Sequence, residues 1–204
     1  ENRRGLFNST DYSFISHNDK SYTSNNPLDP LNFDSAPFEN HNIVKFKFNG
    51  AIRFGQKYLS FPGSKFNLNT PKYPKLNFSY EKGFGATNSH YNYDHLSVNF
   101  SQNFKLENKG RFSYNVFGGT FFGASSVGFM DAKHINGNQT HVNLDSSYLS
   151  SFKNVGYYDF STFKNYFEYH IEHDFKGYIL GKIPLLNKLN YNLILGVHGF
   201  SAED

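Results

Sequence analysis

Residues 163–200 read FKNYFEYHIEHDFKGYILGKIPLLNKLNYNLILGVHGF, and this stretch decides the fold. It has the pattern of strand, turn, strand. On the first arm Phe163, Phe167, Tyr169, Ile171 and Phe175 fall on one face, and Tyr166, Glu168, His170, Glu172, Asp174 and Lys176 on the other, because successive side chains of a strand alternate sides. The second arm repeats the pattern with Leu189, Tyr191, Leu193, Leu195 and Val197. Between them, KIPLLNKL holds Pro184, which lacks the N–H that a continuous ladder needs. A soluble strand alternates in this way over about four to eight residues. Each arm here alternates for about a dozen, the length with which a tilted strand crosses a bilayer.

Composition agrees. Only 38% of the 204 residues are hydrophobic, and mean hydropathy is −0.60. No run approaches the roughly 18 apolar residues of a membrane-spanning helix. A transmembrane barrel exposes apolar side chains on alternate residues only, so its mean hydropathy looks soluble. Aromatics reach 19%, with 24 Phe and 15 Tyr, and aromatic residues both favour strands and form the girdles of barrels. Trp is absent, so Tyr and Phe must supply those girdles. With no cysteine there is no disulfide framework, thiolate nucleophile or Cys-ligated metal. The net charge of +3 is small and scattered, which argues against a nucleic-acid partner.

Outward from the hairpin the same alternation recurs. In 43–55, Val44, Phe46, Phe48, Ile52 and Phe54 oppose Ile43, Lys45, Lys47, Asn49, Ala51 and Arg53. Further strands are expected over 75–85, 94–107 and 111–122, and a weak one over 3–16. Asn108-Lys109-Gly110 is a tight turn in which glycine is free to take positive φ. Loops are expected over 17–42, 86–93 and 123–162, and connectors over 56–74 and 178–187. Asn136-Gly137 is a further turn signal. About seven strands result, all in one domain over 1–204. With the 108–110 turn on the periplasmic side, the loops 17–42 and 123–162 are external. The turn over 178–187, including Ile183, Pro184, Leu185 and Leu186, is then periplasmic.

Lys45, Lys47 and Arg53, with Glu168, His170, Glu172 and Asp174, are the polar rows expected to face a lumen, and the cationic row can pair with Glu168, Glu172 and Asp174 across it. His170, Glu172 and Asp174 are good metal-ligand types, but a polar lumen stave explains them as well, and neither metal nor other cofactor is expected. His173 points to the opposite face. No GxSxG element and no phosphate loop is present. Glycines such as those of FGGTFFGASSVGF are expected to mark bends or close approach.

Three runs carry a family resemblance: GTFFGASSVGFMDAKHINGNQT, YYDFSTFKNYFEYHIEHDFKGYILGKIPLLNKL and the earlier KYPKLNFSYEKGFG. The marks are His134, Gly137-Asn138, His173, Phe175, Gly177, Ile183-Pro184-Leu185-Leu186 and Lys188-Leu189. The chain resembles the barrel region of a Bacteroidota outer-membrane family of unassigned function, whose members often carry an N-terminal carboxypeptidase-regulatory-like domain. That barrel is distantly similar to the outer-membrane assembly superfamily of the BamA and TamA type, which implies a sixteen-stranded barrel. The superfamily's signature loop motif is missing here, so insertase activity is an analogy of fold only. Asp34-Ser35-Ala36 resembles the short O-glycosylation acceptor of the same bacteria.

The expectation is an all-β, antiparallel, non-enzymatic transmembrane barrel segment in the bacterial outer membrane. It would touch outer-membrane lipid and other outer-membrane or periplasmic proteins, in export or insertion of protein or lipid, or as a scaffold for a surface complex. Partner strands are expected beyond Asp204. The alternatives are a small closed porin-like or adhesin-like barrel and a secreted soluble β-sandwich that binds carbohydrate.

Overall fold

The computed structural model describes residues 1–3, 39–68, 73–138 and 148–203. In chain order the strands are β1 Asn2–Arg3, β2 His41–Asn42, β3 Val44–Arg53, β4 Lys57–Phe61, β5 Ser64–Leu68, β6 Lys75–Phe84 and β7 Tyr93–Lys105. They continue with β8 Arg111–Phe122, β9 Lys133–His134, β10 Ser161–Thr162, β11 Tyr166–Asp174 and β12 Ile194–Ala202. One short helix, α1, spans Gly177–Leu180.

Six strands form one antiparallel meander in the order β12-β11-β8-β7-β6-β3. Among the described residues it is an open sheet, with β3 and β12 as its edges. The expected alternation is what builds it. Leu96, Val98 and Phe100 share the face that carries Phe46, Phe48, Ile171 and Val197, all of them exposed. The opposite face buries Glu168, His170, Glu172 and Ser113, with His170 at 0% exposure. This is the reverse of a soluble sheet, which hides its apolar face.

The polar face is covered by the chain's own residues 123–138 and 148–165. Val127, Ile135 and Phe152 among them are buried. Ile135 N donates to Phe160 O at 2.9 Å, and Asn138 N to Phe152 O at 2.8 Å. Gly137 makes the expected turn, donating to Ile135 O at 2.9 Å and bridging Phe152. A small apolar cluster of Ile43, Tyr93, Phe121, Val127 and Tyr166 closes that end of the sheet.

Several expectations are corrected. The two arms of 163–200 keep a ladder of nine residues each, 166–174 and 194–202, rather than a dozen. After Phe175, whose N–H bonds Leu193 O at 2.8 Å, Lys176 turns at φ 47°. Helix α1 and the 3-10 turn Leu186–Lys188 lie in the expected connector, and residues 189–193, where Leu189, Tyr191 and Leu193 were expected to begin the second strand, are turn and irregular chain, so that β12 starts only at Ile194. Connector 56–74 contains a β4–β5 hairpin around Pro62-Gly63, where Gly63 takes φ 86°. The tight turn at 108–110 stands as expected, with Gly110 at φ 102°. In the 17–42 loop, His41–Asn42 pairs with Asn2–Arg3. The strand expected over 3–16 (beyond Arg3) and the Asp34-Ser35-Ala36 motif lie outside the described residues.

Candidate functional site

The polar face beneath residues 123–138 and 148–165 is the candidate site. Its first part lies beside the apolar cluster. Asp131, in the 3-10 turn Phe129–Asp131, receives hydrogen bonds from both Arg3 and Lys45, and its carboxylate is almost fully buried. Glu1 pairs with Arg3 at 2.7 Å. Burial alone would raise the Asp131 carboxyl, but Arg3 and Lys45 outweigh it and hold the group below its ordinary range. Glu81 on β6 accepts from Tyr93 Oη at 2.6 Å and pairs with Lys47 at 3.0 Å.

The second part lies on β11. Glu168 pairs with Lys133 of β9 at 2.5 Å, and Lys133 Nζ stands 5.3 Å from the Tyr166 ring centre. The β11–β12 register sets His170 opposite His198. Their Nδ1 atoms are 3.0 Å apart, so one ring donates and the other accepts. Glu172 accepts from Tyr148 N at 2.7 Å and stands 3.8 Å from His198 Nε2.

The third part is a neutral amide ladder across three strands. Asn77 Nδ2 donates to Asn99 Oδ1 at 2.8 Å, Asn99 Nδ2 to Asn115 Oδ1 at 2.5 Å, and Asn115 Nδ2 to Leu149 O at 2.6 Å. A cleft of about 640 Å³ opens over it, lined also by Arg53, Lys75 and Ser101. The sequence signal for this ladder was the run of asparagines in the polar rows; the pairing itself depends on register.

All of Lys45, Lys47, Arg53, Glu168, His170, Glu172 and Asp174 therefore project from one face, as read from the sequence. The pairing expected between the two rows is not made. Lys45 and Lys47 pair with Glu81 and Asp131, while Glu168 pairs with Lys133. The reason is distance along the sheet: β3 and β11 are separated by β6, β7 and β8, so nearer partners win. Among the described residues no group of three His, Asp or Glu gathers as a metal site. His173 faces the other way: its Nε2 donates to the Lys109 carbonyl at 2.9 Å, and its ring stacks on Phe175. Ile183, Pro184, Leu185 and Leu186 lie in the connection that joins β11 to β12, and Leu185 is 78% exposed.

A family model covers residues 1–204, that of the C-terminal domain of a family of unknown function, DUF5686. The chain belongs to this family. No curated protein and no solved structure matches it. In this DUF5686 C-terminal domain the functional residues must therefore be read from the geometry, and that geometry is a held polar wall: buried ion pairs, an amide ladder and a cleft. The Ser161–His134 contact at 2.7 Å joins register partners of β10 and β9 and clips the covering segment closed.

Proposed function

We propose that this domain is a segment of a transmembrane β-barrel in the bacterial outer membrane, with its apolar face in lipid and its polar face toward a lumen partly filled by residues 123–138 and 148–165. It acts through shape and surface, in export or insertion of protein or lipid or as a scaffold for a surface complex, and not by bond chemistry. The observation that carries this reading is the inverted polarity of the sheet. Phe46, Phe48, Val98, Phe100, Ile171 and Val197 are exposed while Glu168, His170 and Glu172 are buried. Lipid makes that arrangement favourable, since alternate residues of a barrel strand face hydrocarbon. The open edges at β3 and β12 favour a larger barrel over a small closed one, because an unpaired edge in hydrocarbon is costly. A soluble sandwich would need a second sheet over the apolar face, and among the described residues none lies there.

Single cysteines placed along β7 from Leu96 to Phe104, in a background without cysteine, test the reading. Labelled with an environment-sensitive dye after folding into vesicles, they should be quenched by lipid-phase quencher at every second position. Uniform access of an aqueous quencher to all positions would overturn it.

A further inference from the structure

The end of the sheet that carries the short connections is basic. In the described connectors 54–68, 106–110 and 175–193, Lys57, Lys65, Lys109, Lys176, Lys182 and Lys188 face a single acid, Glu107. All six lysines are exposed, and none forms an ion pair among the described residues. Lys182 lies over the Tyr178 ring at 4.1 Å. The connection 175–193 contains three of these lysines and no acid. It also exposes Ile183, Leu185, Leu189 and Tyr191, with Leu185 held outward by a positive φ of 76° that a leucine rarely adopts. The chain runs from these side chains directly into β12, where Leu195 and Val197 are likewise exposed.

A connection that exposes apolar side chains between lysines without ion pairs, at the end of a sheet whose apolar face is exposed, has a specific complement. We propose that the 175–193 connection is a headgroup-binding rim that inserts Leu185 and its neighbours into the acyl boundary and holds the phosphates of anionic phospholipid with Lys176, Lys182 and Lys188. The long lysine stems follow the apolar surface while the ammonium groups reach the headgroups. The inference rests on the barrel reading above and adds to it a lipid preference at one end.

The test uses the full chain folded into vesicles of phosphatidylcholine mixed with phosphatidylglycerol. A fluorophore is placed at Leu185→Cys or, in a second protein, at Val197→Cys, and brominated lipid of either headgroup serves as quencher. At Leu185 the expected relative binding constant favours phosphatidylglycerol, falls about five-fold for each lysine changed to glutamine, and falls with added salt. At Val197, far from the lysines along the strand face, both lipids quench with a ratio near one. Equal quenching by both lipids at Leu185, or a preference that survives K176Q/K182Q/K188Q, overturns the rim. Absence of quenching by either lipid at Val197 overturns the barrel reading itself, so the two failures are distinguishable.

Discussion

Tyr166 on β11 lies across Gly119, its register partner on β8, and its hydroxyl stands 3.0 Å from His95 Nε2 on β7. One aromatic side chain thus ties three neighbouring strands together. The relationship recurs: Tyr93 covers Gly83, Phe78 covers Gly50 and Tyr169 covers Gly199, each across a paired position. Glycine weakens a strand by offering no side chain to pack, and an aromatic ring laid over it from the next strand restores that contact.

Gly119→Ala should therefore destabilise the domain by about 1–3 kcal/mol, the usual cost of forcing an extra methyl into a filled space. The added Cβ falls within the Tyr166 ring, which must move away from His95 and out of the cluster with Ile43, Tyr93, Phe121 and Val127. Gly118→Ala is the control. Its Cβ would meet only Phe167 and the Tyr166 carbonyl, both at 3.8 Å, and its effect should stay within about 0.5 kcal/mol. Urea unfolding of the two variants in the same vesicles measures the difference.

Asp131→Asn should cost about 3–5 kcal/mol, because it leaves Arg3 and Lys45 buried or half-buried with their shared counter-charge removed. The pH dependence has a definite sign. The folded carboxyl lies below its ordinary value of 3.8, so its stabilisation is complete above that value and is lost as pH falls through the lower, folded one. Unfolding midpoints measured on the acid side should drop in the wild type, and Asp131→Asn should remove this component of the drop.

How much of this was legible beforehand follows from which interactions are local. Alternation assigns each side chain to a face without knowledge of its neighbours, so the rows at Lys45–Arg53 and Glu168–Asp174 could be read directly. Partners could not. Lys133 reaches Glu168, and Asp131 reaches Lys45, only because the stretch 123–138 folds back over the sheet. Nothing periodic in its sequence encodes that path. Register likewise hides the Asn77–Asn99–Asn115 ladder and the glycine–aromatic pairs. The β4–β5 hairpin was readable in principle: Lys65 and Asn67 alternate with Phe66 and Leu68, and Pro62-Gly63 is a turn signal, but the flanking prolines at 71 and 74 gave the stretch the look of a plain connector.

His134 supplies a second pH dependence, on the covering segment. Its Nδ1 meets Ser161 Oγ at 2.7 Å, and its ring packs on Phe129 and Tyr158. Burial there lowers its pKa from the ordinary 6.5. A histidine held neutral stabilises fully above that value and loses its contribution as pH falls through the lowered one. Amide exchange in 129–138 and 152–162, corrected for intrinsic rates, should therefore rise in mildly acid solution. In His134→Gln, which keeps a polar group facing Ser161, that rise should vanish while the exchange of β7 and β8 stays as in the wild type.

Val98→Lys and Asn103→Lys place the same cation on opposite faces of β7. Val98 is exposed at 41% on the apolar face, between Phe78 and Gly118 in register. Asn103 projects from the polar face and lines the cleft. In water both would be mild surface changes, within about 0.5 kcal/mol. In a bilayer the first should cost about 2–4 kcal/mol, as a lysine near the midplane does on a barrel, while the second remains solvated. Folding into vesicles, followed by the shift in gel mobility between heated and unheated samples, reads the difference. Loss of the folded band for Val98→Lys alone is the expected outcome; equal tolerance of both would place the apolar face in water.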